Sequence, residues 1–269
     1  MRRGKIAEPD VTESDLTEPL VTEPDVNADE LMEETPQRTY KSLSVITPVY
    51  NERKTVAEII RRMRAVQLPL SLEIIVVDDG SSDGSEKVLE ALQDSTVRLI
   101  KHPVNRGKGA AIRTGLSEAR GDIVMIQDAD LEYDPNDWPL LLEPILRGKA
   151  RVVYGSRFTG QRKNMLPLHW IGNRMLSLVT NVLYSSTLSD METCYKVFDA
   201  QVLEGLTVVS NRFDFEPEIT AKILRRGHRI YEVPISYAGR EPDEGKKITW
   251  RDGFGALKAL VKFRFTKDY

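Results

Sequence analysis

This chain of 269 residues is short of several things, and each shortage narrows what it can be. It has one cysteine, Cys194, so no intrachain disulfide can form, which fits a reducing compartment. The thiol reads as a buried structural one. It has three histidines, His102, His169 and His228, and only His102 falls near the motifs described below. It has no apolar stretch approaching the roughly 18–20 residues that a membrane span needs. Met1-Arg2-Arg3 is not followed by the apolar core of a signal peptide. The body of the chain is therefore expected to be cytoplasmic, with attachment to a membrane surface left open. It also lacks a strong excess of either charge, the formal net value being −3. That figure hides an asymmetry. Residues 1–38 carry 11 acidic and 4 basic residues, leaving 30 acidic against 34 basic in the remainder. Such a mildly basic body suits anionic small ligands or an anionic lipid surface, and is too weakly basic to argue for nucleic acid.

What is present falls into two parts. Residues 1–38 repeat a loose acidic unit: Glu8-Pro9-Asp10-Val11, Glu18-Pro19-Leu20-Val21 and Glu23-Pro24-Asp25-Val26. With its Pro and its charge, this stretch cannot bury enough surface to offset the entropy of ordering, so a disordered acidic tail is expected. Residues 39–269 read as a single α/β domain, with a first half over about 42–155 and a second over about 156–269. Strands are expected at Leu43–Thr47, Leu72–Val77, Val97–Lys101 and Ile123–Gln127. They alternate with helices at Thr55–Val66, Ser85–Leu92 and Lys108–Ala119. In the first helix Val56, Ile59, Ile60 and Met63 recur at helical spacing. The alternation implies a doubly wound, mostly parallel sheet with helices on both faces. The second half is less regular. Helices are expected at Trp138–Leu146, His169–Leu183, Phe215–Arg225 and Gly253–Phe265. Strands are expected at Arg151–Tyr154 and Cys194–Phe198, with a long one at Arg229–Tyr237.

In such sheets ligands bind beyond the carboxyl ends of the strands. Three motifs fall there: Pro48-Val49-Tyr50-Asn51-Glu52, Asp78-Asp79-Gly80-Ser81-Ser82-Asp83 and Asp128-Ala129-Asp130. Residues two apart in an extended segment point the same way, so Asp128 and Asp130 should leave the last strand as parallel carboxylates. Glu132 joins them if the extension continues. Carboxylates so grouped repel unless a cation lies between them, and hard oxygen ligands suit Mg²⁺ or Mn²⁺. Asp79 can accept hydrogen bonds from a nucleobase or ribose. Asn105-Arg106-Gly107-Lys108-Gly109 precedes a helix, its glycines permit close backbone approach, and Lys108 adds a cation at a helix N-terminus, a place favourable to anions. It is not a Walker A sequence, because Gly-Lys-Ser/Thr is missing.

Taken together, in this order and spacing, these four motifs resemble those of family 2 glycosyltransferases with the GT-A fold. More narrowly, they resemble the dolichol-phosphate mannose synthase branch. The resemblance covers about residues 42–265. It implies that Pro48, Tyr50, Glu52 and Asp79 surround the nucleoside of a nucleotide sugar. It implies that Asp128, Asp130 and Glu132 hold Mg²⁺ or Mn²⁺ and the diphosphate, although the branch often has Gln where this chain has Glu132. The segment Arg240-Glu241-Pro242-Asp243-Glu244-Gly245-Lys246-Lys247-Ile248 resembles the branch's basic loop. There an Arg and a Lys clamp the donor diphosphate and the acceptor phosphate, and Arg240, Lys247 and Lys246 align with them. Asp130, Arg240 and Lys247 are thus the expected catalytic residues, and Lys108 is expected to join the donor site.

The implied activity is inverting transfer of a hexose from GDP-mannose or UDP-glucose to a polyprenyl or dolichyl phosphate. A lipid phosphate is mostly dianionic at neutral pH and needs no general base, which fits the scarcity of histidine. The helix His169–Leu183 offers large apolar residues to a lipid, and Gly253–Phe265 interleaves Lys and Arg with large apolar residues, as helices at a membrane surface do. Asp190, Glu192 and Asp214 are candidate bases if the acceptor is instead a hydroxyl of a glycan or small molecule. A nucleotide-sugar binding protein without catalysis is the reading of a different class. The sugar, the base and the oligomeric state are left open.

Overall fold

The computed structural model describes residues 38–165, 167–240 and 250–266. The acidic repeats of the N-terminal tail, and Lys246 and Lys247, lie outside the described residues. β1 (Ser42–Val49), β2 (Ser71–Asp78), β3 (Val97–Lys101) and β4 (Ile123–Ile126) alternate with α1 (Val56–Ala65), α2 (Ser85–Leu92) and α3 (Lys108–Glu118). Then come α4 (Trp138–Leu146), β5 (Val152–Ser156), β6 (Arg162–Lys163), α5 (Pro167–Tyr184), β7 (Lys196–Asp199) and α6 (Ala200–Leu203). The last elements are α7 (Phe215–Arg225), β8 (Tyr231–Pro234), β9 (Tyr237–Ala238) and α8 (Trp250–Phe265).

Seven strands form one sheet in the order β3-β2-β1-β4-β7-β5-β8. β1, β2, β3 and β4 pair in parallel, as do β5 and β8, while β7 runs antiparallel to both of its neighbours. This is the mostly parallel, doubly wound α/β sheet that the pattern implies. β2 shows why its strand reads as a continuous apolar run rather than an alternating one. Ile74 and Val76 join the large core cluster with Ile59, Ile60 and Met63 of α1, while Ile75 and Val77 pack on the other face with Ala111 of α3. Small residues let α3 lie close: a Cβ on Gly115 would run into Ile46 of β1.

Three expectations need correction. The long strand over Arg229–Tyr237 is two short ones. β8 pairs with β5 and ends at Pro234, which has no N–H to continue a ladder. The chain then turns: Ser236 N donates to Asp137 Oδ2 at 2.7 Å, and β9 pairs with β6 in a separate two-stranded sheet. Second, β4 stops at Ile126, and the chain bends over Ala129–Glu132 instead of continuing extended. Glu132 N donates to Asp130 Oδ1 at 3.2 Å, an Asx-type turn that ends the extension. Third, Arg38 is not part of the tail. It forms an ion pair with the buried Asp199, and the compact unit begins at Arg38.

Candidate active site

The carboxyl ends of β1, β2 and β4 open onto one cleft of about 740 Å³. β1 and β4 flank the point where the strand order reverses, the switch point at which open α/β sheets bind ligands. Because β7 alone is antiparallel, its amino end reaches this same edge and delivers Glu192 and Cys194 to the cleft wall. Pro48, Tyr50, Glu52, Asp79, Lys108, Asp128, Asp130, Glu132 and Arg240 all line the cleft, so residues as far apart in sequence as 48 and 240 converge there.

Their partners differ from those expected in four places. Asp79 lines the cleft, but its carboxylate is engaged. It accepts from Arg106 N at 3.0 Å and Gly107 N at 2.7 Å, and meets His102 Nδ1 at 2.6 Å. Its job is to hold the loop over 105–107, with buried His102 bridging on to Thr114. Gly107, at φ 99°, permits a close approach to protein rather than to a ligand: it packs on the backbone of Asn211, and Ala110 N donates to Asn211 O at 3.1 Å. Lys108 does not offer its charge freely. Its Nζ lies 2.9 Å from both Asp128 Oδ1 and Glu216 Oε1. Burial alone would weaken that ammonium, but the two carboxylates hold its pKa well above the usual lysine range.

Glu132 is the fourth departure. The bend turns it away from a shared edge with Asp128 and Asp130. Its oxygens accept from Tyr237 OH at 2.9 Å and Arg240 N at 3.0 Å, so it anchors β9 and the segment after it. Among the described residues no three His, Cys, Asp or Glu side chains form a metal-holding group, and Glu132 is engaged by Tyr237 and Arg240. What remains is a pair of carboxylates. Burial, then Asp128 and Glu132, push Asp130 up to about 8, with Arg240 opposing. A site so charged favours a cation. Two hard oxygen donors fit Mg²⁺ or Mn²⁺, which commonly take one or two carboxylates and complete their shell with water and substrate phosphate.

Arg240 lines the cleft. Its guanidinium lies 2.8 Å from Glu52 Oε2 and 3.6 Å from Asp130 Oδ2. Of the candidate bases, Asp190 is consumed: Arg157 Nε and Nη2 each donate to it at 2.7 Å in a buried fork. Asp214 accepts from Arg212 N at 3.0 Å in the turn before α7. Glu192 alone faces the cleft with an unpartnered oxygen, and burial, then Glu216, push it up to about 8. Cys194 is buried in the wall, where burial raises its thiol. Sequence reasoning missed Arg157 and Glu216. Arg157 directly follows β5, so the strand-end rule applied to that strand would have found it. Glu216 looks like any acidic residue in a first helical turn.

A cleft at the switch point of an α/β sheet is where proteins of this class bind their ligands. The family model for glycosyl transferase family 2 matches residues 44–206, over half of the chain, and the chain belongs to that family. It is 30% identical over 217 residues to the undecaprenyl-phosphate 4-deoxy-4-formamido-L-arabinose transferase of Edwardsiella ictaluri, covering 78% of this chain and 64% of that one. It is 29% identical over 239 residues to the low-salt glycan biosynthesis hexosyltransferase Agl6 of Haloferax volcanii, covering 87% and 57%. The chain thus spans less than two thirds of the length of these relatives. The crystal structure of glucosyl-3-phosphoglycerate synthase from Mycobacterium tuberculosis with Mn²⁺, UDP-glucose and phosphoglyceric acid matches with a TM-score of 0.67 at 22% identity. That match covers 85% of this chain and 81% of that one, and is a likeness of fold.

Proposed function

We propose that this chain transfers a hexose, with inversion, from a nucleotide sugar to a polyprenyl phosphate at a membrane surface, with Mg²⁺ or Mn²⁺ as cofactor. One observation carries the reading: the cleft is lined by two unlike sets of side chains. Asp128, Asp130, Lys108 and Arg240 are charged, while Leu168, Ile171 and Met175 of α5 and Ala256 of α8 are apolar. A ligand suited to such a cleft joins charge to hydrocarbon. The name of the Edwardsiella relative includes undecaprenyl phosphate, which supports the acceptor class. The donor is proposed to be GDP-mannose or UDP-glucose.

In the proposed reaction an acceptor phosphate oxygen forms a bond to the sugar's anomeric carbon. The bond to the donor diphosphate breaks on the opposite face, and the nucleoside diphosphate leaves with the electron pair. Asp128 and Asp130 would hold the divalent cation, which supplies charge stabilisation to the departing diphosphate. Arg240 adds a fixed positive charge beside Asp130. Lys246 and Lys247 are proposed to meet the acceptor phosphate. No proton has to be removed from a dianionic phosphate, so no base is required.

Exposed apolar residues run along both α5 and α8. Leu168, Ile171, Met175, Leu178 and Val182 form a stripe on α5, and Phe254, Leu257, Val261 and Phe265 one on α8. The two helices pack together, with Tyr184 OH donating to Leu260 O at 2.6 Å. Among the described residues no helix is long and apolar enough to cross a membrane. The stripes are proposed to rest on the cytoplasmic membrane face, beside exposed Lys258, Lys262 and Arg264.

Glu192 favours a second reading. A carboxyl pushed up to about 8 beside the cleft suits a general base for a hydroxyl acceptor. A donor screen separates the readings: GDP-mannose and UDP-glucose are incubated with polyprenyl phosphate and Mn²⁺, followed by lipid extraction. Sugar in the organic phase is the expected result. Transfer only to water-soluble hydroxyls, lost in Glu192→Gln, overturns it in favour of the second reading. Donor binding without turnover on any acceptor points to a binding protein instead.

A further inference from the structure

Asp128, one of the two carboxylates assigned above to a metal, is already paired with a cation from within the chain. Lys108 Nζ lies 2.9 Å from Asp128 Oδ1, 3.0 Å from Asp128 Oδ2 and 2.9 Å from Glu216 Oε1. The ammonium is thus ion-paired with both carboxylates at once. The two partners of Lys108 are not equivalent. The Asp128 side chain is 20% exposed and faces the cleft, whereas that of Glu216 is 6% exposed. Among the described residues Glu216 Oε2 has no hydrogen-bond partner, so this buried carboxylate leans on Lys108 through its other oxygen. Taking the cation from Glu216 would leave a buried charge uncompensated, which is costly. Taking it from Asp128 leaves a carboxylate that water or a metal can reach. The Glu216 contact is therefore the pivot and the Asp128 contact the exchangeable one.

A divalent cation arriving alone must displace Lys108 from Asp128. A diphosphate arriving alone meets the carboxylates Glu52, Asp128, Asp130, Glu132 and Glu216, and finds Lys108 and Arg240 already paired with carboxylates. Arriving together, each removes the other's obstacle. The diphosphate supplies new anionic oxygens for the lysine, and the metal supplies new charge for the carboxylate.

We propose that Lys108 is a resident counter-ion of Asp128 that, pivoting on Glu216, passes to the donor diphosphate as Asp128 passes to the metal. It is a positioning residue that couples metal binding to nucleotide binding. The proposal rests on the nucleotide-sugar reading of this cleft. By linkage, the coupling must show as an effect of each ligand on the other's affinity.

The test is Mn²⁺ titration by calorimetry, alone and in saturating UDP or GDP, with thermal melts as a check of folding. The variants are Lys108→Arg, Glu216→Gln and the double variant Lys108→Met with Glu216→Gln. The double variant removes the cation together with the buried carboxylate it would strand. Lys108→Gln is measured beside it, in case the double variant does not fold. Wild type should bind Mn²⁺ at least about tenfold more tightly with nucleotide than without. The double variant should bind Mn²⁺ alone about tenfold more tightly than wild type does and gain less from nucleotide. Lys108→Arg and Glu216→Gln, which keep a cation on Asp128, should retain most of the coupling. A merely structural lysine predicts the opposite sign, a loosened site with weaker Mn²⁺ binding. Unchanged or weaker Mn²⁺ affinity in the folded double variant, or in Lys108→Gln, overturns the exchange. So does Glu216→Gln alone reproducing the double variant. Wild type that binds neither nucleotide in the presence of Mn²⁺ sinks the donor reading itself, and the exchange with it.

Discussion

Burial and two neighbouring carboxylates oppose the ionisation of Asp130, so its charge is unfavourable until a cation arrives. Replacing it by Asn removes that charge at nearly constant volume. The variant should therefore lose transfer by at least about a hundredfold, roughly 2.7 kcal/mol of barrier, while its metal-free melting temperature stays level or rises. Chelator should abolish wild-type activity, and Mn²⁺ or Mg²⁺ should restore it. Full activity of Asp130→Asn, or of wild type in excess chelator, would show that no carboxylate-bound metal is needed. Glu192 makes a different prediction, one of pH. Its folded pKa of about 8 lies above the ordinary 4.5, so the folded state holds the proton more tightly than the unfolded one. The stability it contributes is complete below about pH 4.5 and is lost as pH rises through about 8. Melting temperatures of wild type should decline over that window, and those of Glu192→Gln should decline less. Parallel curves for the two proteins would mean that Glu192 is already ionised in the fold.

Elements carry what single residues cannot. Two helices offer apolar stripes to solvent, and contiguous exposed apolar surface of this kind marks an interaction site. Lys258 and Lys262 on α8 are exposed beside the stripe. The chain should sediment with anionic vesicles at low salt and detach as salt screens the charge. Lys258→Glu with Lys262→Glu should weaken that binding by about tenfold without moving the melting temperature, since neither side chain is buried. If no vesicle binding occurs at low salt, or if charge reversal leaves it untouched, the stripes face a protein partner rather than lipid. β7 is the other informative element. Its reversed direction adds the amino end of a strand to an edge otherwise made of carboxyl ends, which is how Glu192 enters the cleft.

At the scale of the whole molecule, a compact unit starts at Arg38. Arg38 pairs with Asp199, which also accepts from Arg151 Nε at 3.0 Å, so this arginine belongs to the unit that a truncation should preserve. Deleting residues 1–37 should leave both the melting temperature and the rate of transfer within about twofold. Extending the deletion through Arg38 should lower the melting temperature by a few degrees, because a buried carboxylate loses one of its cations. Equal melting of the two truncations would show the Arg38 pair to be worth nothing in solution, and a loss of transfer on removing 1–37 would give the acidic segment a part in function.

Much of this protein was legible before any coordinates. Apolar periodicity is a local property of the chain, so it located the strands from Ser42 to Ile126 and the helices between them to within a residue or two. The strand-end rule then placed Asp79, Asp128 and Asp130 on one edge, because chain direction and strand order follow from alternation. The direction of β7, the pairing of β9 with β6 and the engagement of Glu132 by Tyr237 were not legible, since each depends on residues distant in sequence. Side-chain partnerships were hidden for the same reason. Asp79 was found in the right place, but only the fold sets Arg106, Gly107 and His102 around it. The sequence shows Lys108 as a cation at a helix N-terminus, and only the fold brings Glu216 of α7 against it from more than a hundred residues away. Local sequence decides which segments can be strands or helices. Which charge neutralises which is settled by burial, and burial exists only once the chain has closed on itself.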